Sequence, residues 1–237
     1  MGLTSGIFPI AAGRSKLGEV HPAIKVFWLV SFTALPLVST SLILQLCVLA
    51  GVLVTSVLGG VGLTPLRSLK ALGIPIGLIF ALNLVLTRSV GFAASMGVRL
   101  ITMASAAYLF FAVTDPMEIA DLLTMIKTPP GVALAAMVAF RFIPVMIDDL
   151  KGIMAAQRSR GYRSDVGGAL ERIRRLSPIL IPALVLVVRR SQSVAEAVES
   201  RGFGSGKRTL YPDYRMTRSS YLLLLWSILP WAAVLLI

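Results

Sequence analysis

Cysteine and histidine are almost absent from this chain of 237 residues, which contains one Cys and one His. A single cysteine excludes an internal disulfide and a Cys-x-x-Cys metal site. Cys47 lies in an apolar run, where we expect it to face lipid or a neighbouring helix. We find no His/Cys/Asp spacing typical of a metal site and no nucleotide-binding Walker A motif. The sequence therefore predicts neither a catalytic centre nor a bound cofactor or metal.

Charge is also scarce, because only 14% of the residues are charged while 56% are hydrophobic and the mean hydropathy is +0.84. Soluble domains usually carry about 25% charged residues. Several apolar runs approach the roughly 20 residues that a helix needs to cross a bilayer. The composition thus predicts an all-α integral membrane protein, with about five transmembrane helices and long cytoplasmic helices between the fourth and the fifth.

Five apolar runs are the candidate membrane spans. They cover about Ala23–Val38, Leu42–Leu58, Gly73–Leu86, Met96–Val113 and Tyr221–Ile237. Tyr221, Trp226 and Trp231 are aromatic residues of the kind that anchor a span at the membrane interface. This pattern divides the chain into transmembrane helices 1–4 (residues 1–114), a cytoplasmic region (115–218) and a C-terminal transmembrane helix (219–237).

The net charge of +12 is unevenly distributed, since 15 of the 23 basic residues lie between Arg141 and Arg218. In a membrane protein such a bias indicates the cytoplasmic side. We therefore expect a cytoplasmic N-terminus and basic region, an outward turn at Ser39–Ser41 and an outward C-terminus. Arg88, on a turn expected to face outward, disagrees weakly. The hydropathy makes membrane topology a better explanation of the charge than nucleic-acid binding.

The cytoplasmic region contains three predicted helices. Asp115-Pro116-Met117-Glu118 is typical of a helix start, with Asp115 as the cap and Glu118 three residues later. Two long helices follow, about Val132–Arg160 and Ala169–Arg201, and Glu171 is placed to pair with Arg174 or Arg175. Their apolar parts, 132–147 and 176–188, are expected to be buried or to skim the membrane, with a re-entrant span as the alternative.

Both long helices are predicted to end at the same tripeptide, Ser-Arg-Gly. We call Ser159-Arg160-Gly161 the first tip and Ser200-Arg201-Gly202 the second tip. Each glycine suits the left-handed position after a helix, and the aromatic residue that follows suits the accompanying contact. Each arginine is expected in the last helical turn, where the helix dipole favours a cation.

Two such tips on one protein favour a docking role over a purely structural one. Arginine binds carboxylates through two parallel hydrogen bonds and keeps its charge when buried. The neighbouring cations are instead expected to face solvent or anionic lipid headgroups. These are Arg158, Arg163, Lys207 and Arg208.

The chain resembles the transmembrane T component of energy-coupling factor (ECF) transporters, the EcfT/CbiQ-like family of ABC importers. The tips carry the resemblance, and a second group of features supports it: His21-Pro22-x-x-Lys25, Asp115-Pro116, Pro129, Arg141-Phe142-Ile143-Pro144 and Lys207-Arg208-Thr209. Family members often have Ala at the serine of each tip, and usually Leu-Asp before the N-terminal proline, where this chain has Val20-His21. His21 is therefore expected to be structural.

This resemblance implies a non-catalytic subunit of the cell membrane. It would join two cytosolic ABC ATPases, which bind the ATP, to a substrate-binding membrane S component. The substrate class would be vitamins or transition-metal ions, and the ATPases could be identical or different. The docking residues would be Ser159, Arg160, Gly161, Ser200, Arg201 and Gly202.

Two other functions are compatible with parts of the sequence. A membrane-bound enzyme such as a lipid transferase would use Asp148-Asp149 to hold a metal, but adjacent helical residues point about 100° apart. A self-sufficient carrier would need intramembrane charge, for which Arg99 is the candidate. Arg99 lies near a span end, however, and its side chain is long enough to snorkel.

Overall fold

The described residues form helices and no strands in a computed structural model of the chain. They are residues 17–18, 20–39, 41–62, 64–126, 128–162, 176–204 and 216–235. The helices are α1 (Pro22–Val38), α2 (Leu42–Leu58), a 3-10 turn (Thr64–Arg67), α3 (Ser68–Thr87), α4 (Val90–Val113), α5 (Pro116–Met125), α6 (Pro130–Ser159), α7 (Ser177–Ser200) and α8 (Arg218–Leu235). This confirms the predicted all-α fold.

The chain divides into two compact units. The first comprises Met1–Leu122 together with Pro212–Ile237, and the second comprises Leu123–Tyr211. α1 to α4 and α8 belong to the first unit, and α6 and α7 to the second. The boundaries predicted from hydropathy, at residues 115 and 219, stay a prediction of where the membrane part ends.

The core of the first unit is built from α1, α2 and α4. Trp28, Phe32 and Leu35 of α1 meet apolar side chains of α2 and α4. The rings of Trp28 and Phe32 stack with centroids 4.9 Å apart. Because this core uses one face of each helix, the opposite faces of α1 and α2 stay apolar and exposed, as expected of helices that contact lipid.

A buried polar chain joins α8 to α1. The indole Nε1 of Trp231 donates to Ser31 Oγ at 2.7 Å, and that hydroxyl donates to the carbonyl of Ser227, also at 2.7 Å. Trp231 also packs against the apolar core. Its indole nitrogen therefore bonds to α1, which differs from the interfacial anchor predicted from the sequence.

His21 and Asp115 each cap the start of a helix, whereas Glu118, three residues after Asp115, forms an ion pair. His21 caps α1, since its Nδ1 accepts the amide of Ala23 at 3.2 Å, so its expected structural role is confirmed. Asp115 Oδ1 accepts the amide of Met117 at 2.9 Å and caps α5. Glu118, however, pairs with Lys25 at 2.7 Å.

Lys25 is a buried cation of the first unit, with 4% of its surface exposed. Besides Glu118, its Nζ donates to the carbonyl of Gly18 at 3.0 Å and to that of Val113 at 3.5 Å. The ammonium thus links α1 to the end of α4 and the start of α5. Burial raises the pKa of the Glu118 carboxyl, and the hydrogen bond and charge of Lys25 oppose that rise.

Arg99 stabilises the turn between α1 and α2. Its guanidinium donates to the carbonyl of Ser39 at 3.0 Å, and Gln45 Nε2 donates to the same oxygen at 2.9 Å. Ser39 is the C-cap of α1, where the helix dipole favours a cation. Arg99 therefore has a structural function at this turn, which weakens its candidacy as a carrier site.

Helix length and hydropathy give a partial account of the membrane spans. Within the described residues, three helices are long and apolar enough to cross a bilayer: Val90–Val113, Gly131–Ser159 and Ser177–Ser200. α1 and α2 are apolar but have 17 residues each, the lower end of the range for a span. The apolar parts of α6 and α7 thus have the composition of membrane-embedded helices, and the number of crossings stays a prediction.

Several sequence predictions lie outside the described residues. These are the start of the last long helix at Ala169, the pairing of Glu171 with Arg174 or Arg175, and the roles of Arg163, Lys207 and Arg208. The described part of this helix begins at Ser177.

Candidate functional site

The first tip is a helix end of defined geometry, the Schellman motif. α6 ends at Ser159, Arg160 is its C-cap, and Gly161 has a φ of +82°. The amide of Tyr162 donates to the carbonyl of Gln157 at 3.0 Å, and the amide of Gly161 to that of Arg158 at 2.9 Å. These two bonds satisfy carbonyls that a helix C-terminus otherwise leaves without partners.

The second tip repeats this geometry at the end of α7. Arg201 is the C-cap and Gly202 has a φ of +71°. The amide of Phe203 donates to the carbonyl of Val198 at 3.2 Å, and the amide of Gly202 to that of Glu199 at 2.9 Å. The predicted left-handed conformation of both glycines is confirmed.

The serine of each tip makes the same side-chain hydrogen bond to its own helix. Ser159 Oγ donates to the carbonyl of Ala156 at 2.9 Å, and Ser200 Oγ donates to that of Ala197 at 3.0 Å. All six tip residues are exposed. Each serine hydroxyl is thus turned back onto its own helix.

The position of the two arginines differs from the sequence prediction by one residue. Arg160 and Arg201 follow the last helical residue as C-caps instead of lying in the last turn. In α6 the cation of the last turn is Arg158. Because a C-cap residue has left the helical path, each arginine projects from the end of its helix and remains close to the negative end of the dipole.

Within the described residues, the guanidinium groups of Arg160 and Arg201 form no ion pair. Two ion pairs do form within these helices: Lys151 pairs with Asp148 at 2.7 Å, and Arg190 with Asp149 at 2.9 Å. The tip cations are therefore available to an acidic partner.

α6 and α7 lie antiparallel, as their contacts show. Asp149 of α6 contacts Arg190 of α7, and further along α6 Gln157 donates to the carbonyl of Pro178 at the start of α7, at 3.1 Å. Residues later in the sequence of α6 thus contact residues earlier in the sequence of α7. The structure therefore places the six predicted docking residues in two groups of three, at opposite ends of the helix pair.

The metal chemistry considered for Asp148-Asp149 finds no support in this geometry. The two carboxylates contact different cations, Lys151 and Arg190. The described residues hold no cluster of three or more His, Cys, Asp or Glu side chains that could bind a metal ion. The pairing of Asp149 with Arg190 was not predicted, and its only sequence signal is the equivalent position of the two residues before their respective tips.

Comparison with known proteins identifies the family. Residues 13–211 match the family model described as CbiQ, cobalt transport protein. The chain belongs to the CbiQ family. The matched segment includes both tips, so the repeated helix ends are part of the CbiQ domain.

Curated relatives of this chain bear the name energy-coupling factor transporter transmembrane protein EcfT. The chain is 36% identical over 130 residues to the protein from Thermanaerovibrio acidaminovorans, covering 51% of this chain and 48% of the relative. It is 35% identical over 135 residues to that from Ruminiclostridium cellulolyticum, covering 53% and 51%. The chain thus spans about half the length of these relatives in each match.

Proposed function

We propose that this protein is the energy-coupling transmembrane subunit, or T component, of an ECF-type ABC importer. Its relatives carry the name of that subunit. The observation that carries the proposal is the repetition of one exposed Schellman motif, with an arginine at its cap, at the ends of two antiparallel helices. Two matched cationic ends suit a pair of docking grooves.

The geometry of the tips and the family support the following proposed partners. Each tip would enter an acidic groove on one of two cytosolic ATPase subunits, and those subunits would bind the ATP. A separate substrate-binding membrane S component would select the substrate, a vitamin or a transition-metal ion. On this proposal the chain catalyses no reaction and binds no cofactor. It transmits the closure of the ATPases to the S component through α6 and α7.

The proposal places the chain in the cell membrane, with the N-terminus and both tips in the cytoplasm. The basic residues concentrated between Arg141 and Arg218 support this orientation. The docking residues would be Ser159, Arg160 and Gly161 in the first tip and Ser200, Arg201 and Gly202 in the second.

Copurification with charge-reversal variants tests the proposal. Arg160→Glu and Arg201→Glu should each reduce the ATPase recovered with the tagged chain, because a reversed charge at a desolvated ion pair typically costs several kcal/mol. Arg158→Glu is the matched control, since it makes the same charge change in the last turn of α6 and leaves the cap unaltered. ATPase recovery that is unchanged in both tip variants would contradict the docking role.

A further inference from the structure

The sequence correspondence between α6 and α7 extends beyond the tips. A shift of 41 positions places Arg160 on Arg201 and Gly161 on Gly202. The same shift places Asp149 on Arg190. These two residues thus occupy equivalent positions in the two helices, each 11 positions before its tip arginine.

In the folded chain these two equivalent residues contact each other. Arg190 Nη2 lies 2.9 Å from Asp149 Oδ2. When two elements are related by a two-fold axis, a residue meets its own equivalent only at that axis. The antiparallel direction of α6 and α7 agrees with such a relation. The contact between Asp149 and Arg190 is the one that a local two-fold axis through this ion pair would produce.

The chemistry of the pair suits a position on the axis. Two identical charged side chains would repel each other there, whereas Asp149 and Arg190 carry opposite charges. Both are half-buried, with 25% and 28% of their side-chain surface exposed. The Arg190 guanidinium also lies over the ring of Phe142, 5.8 Å from its centroid.

The contact is mainly one of charge. Asp149 Oδ2 accepts no hydrogen bond of favourable angle among the described residues, although the guanidinium of Arg190 lies beside it. A charge contact of this kind tolerates some change of angle between the helices. It still fixes which residue of α6 faces which residue of α7.

We infer that Asp149 and Arg190 are positioning residues that fix the register of α6 and α7 and thereby the distance between the two tips. Eleven helical residues separate the pair from each tip arginine, or about 16 Å along each helix. This inference rests on the proposed function for its partner, an ATPase dimer that presents two equivalent grooves. Because the helices are antiparallel, a slip of one helix along the other would lengthen or shorten the distance between the two tips.

The register can be measured on the full chain alone by the distance between two spin labels in lipid nanodiscs. The labels would be attached to cysteines that replace Ala155 and Glu196, which are exposed and occupy equivalent positions before the tips. Cys47→Ser removes the native cysteine. We expect one narrow distance distribution for the native pair, and loss of that single peak in Asp149→Asn and in Arg190→Gln.

Two further variants assign the effect to the ion pair. The exchange of Asp149→Arg with Arg190→Asp restores opposite charges at equivalent positions and should recover the narrow distribution. Asp148→Asn removes the exposed Lys151 contact within α6 and should leave the distribution unchanged. An unaltered distribution in both single variants, or failure of the exchange to recover it, would overturn the inference.

A second measurement separates this inference from the proposed function. We expect Arg190→Gln to lower the ATPase recovered with the tagged chain, and the exchange variant to recover it, because two-point binding is lost when both sites cannot be engaged at once. If the native chain captured no ABC-type ATPase, the proposed function would fail. The label distances would still test the positioning role.

Discussion

At the scale of single residues, Lys25 shows how a membrane protein accommodates a buried charge. Its ammonium meets one carboxylate and two carbonyl oxygens, so few of its hydrogen-bonding positions are left without a partner. The sequence predicted a cytoplasmic cation at this position. The partner Glu118 is 93 positions away, and no local pattern connects two residues so far apart.

Removal of Lys25 should destabilise the protein more than removal of the whole pair. Lys25→Met leaves Glu118 buried without a cation, which typically costs about 3 kcal/mol, whereas an apolar replacement of both partners is often close to neutral. Chemical unfolding in micelles of Lys25→Met and of Lys25→Met with Glu118→Met would measure the difference. Equal losses in the two variants would contradict a paired charge.

The loss in Lys25→Met should also depend on pH. Burial already raises the pKa of Glu118, and removal of Lys25 removes the influence that opposes this rise. In the folded variant, Glu118 then stays protonated at pH values above its pKa in the unfolded chain. Stability therefore falls as pH rises from the unfolded pKa to the folded pKa. The variant should therefore be closest to the wild type at about pH 5 and furthest from it at about pH 8.

The tip glycines are the residues whose conformation determines the cap. Gly161→Ala and Gly202→Ala should each destabilise the helix end by about 1 kcal/mol, because a Cβ is unfavourable in the left-handed region. A Cβ at Gly161 would meet no atom within 4 Å, so the cost there is one of backbone conformation.

Gly152→Ala is the matched control for this prediction. Gly152 lies inside α6, and a Cβ there also meets nothing within 4 Å. Because alanine is favoured over glycine in a helix by about 1 kcal/mol, this variant should stabilise the protein. Unfolding measurements should show a lower free energy of unfolding for Gly161→Ala and Gly202→Ala and a higher one for Gly152→Ala. Stabilisation by Gly161→Ala would contradict the Schellman geometry.

At the scale of helices, local signals predicted some element boundaries, but α3 begins at Ser68 and α4 at Val90, before the predicted starts at Gly73 and Met96. α2 has the bounds expected from its apolar run, and α5 begins at the predicted Asp115 cap. Capping depends on residues within one turn, so the sequence contains the whole signal. Contacts between side chains of different helices could not be predicted from such local signals. The Asp149–Arg190 contact requires knowledge of which face of α6 meets α7.

The hydrogen bond between α8 and α1 should contribute measurably to stability. Trp231→Phe keeps a large apolar ring and removes the donor to Ser31, so we expect a loss of about 1 kcal/mol, the usual net value for one hydrogen bond. Trp226→Phe is the control, since Trp226 is more exposed and makes no hydrogen bond through its indole among the described residues. Equal unfolding midpoints for the two variants would contradict a stabilising hydrogen bond between Trp231 and Ser31.

At the scale of the whole molecule, the charge distribution makes the orientation in the membrane testable. The absence of charged residues from the Ser39–Ser41 turn and the concentration of basic residues after Arg141 predict an outward α1–α2 turn and cytoplasmic tips. Hydropathy alone does not decide this orientation, because apolar composition is the same from either side of the bilayer.

Labelling of single cysteines in intact cells would determine the orientation. In a Cys47→Ser background, Ser41→Cys should react with a membrane-impermeant maleimide added from outside, because Ser41 is exposed at the turn between α1 and α2. Ser200→Cys should react only after the membrane is opened, since the second tip is expected in the cytoplasm. Reaction of Ser200→Cys from outside would place the tips on the wrong side for cytosolic ATPases and would contradict the docking proposal itself.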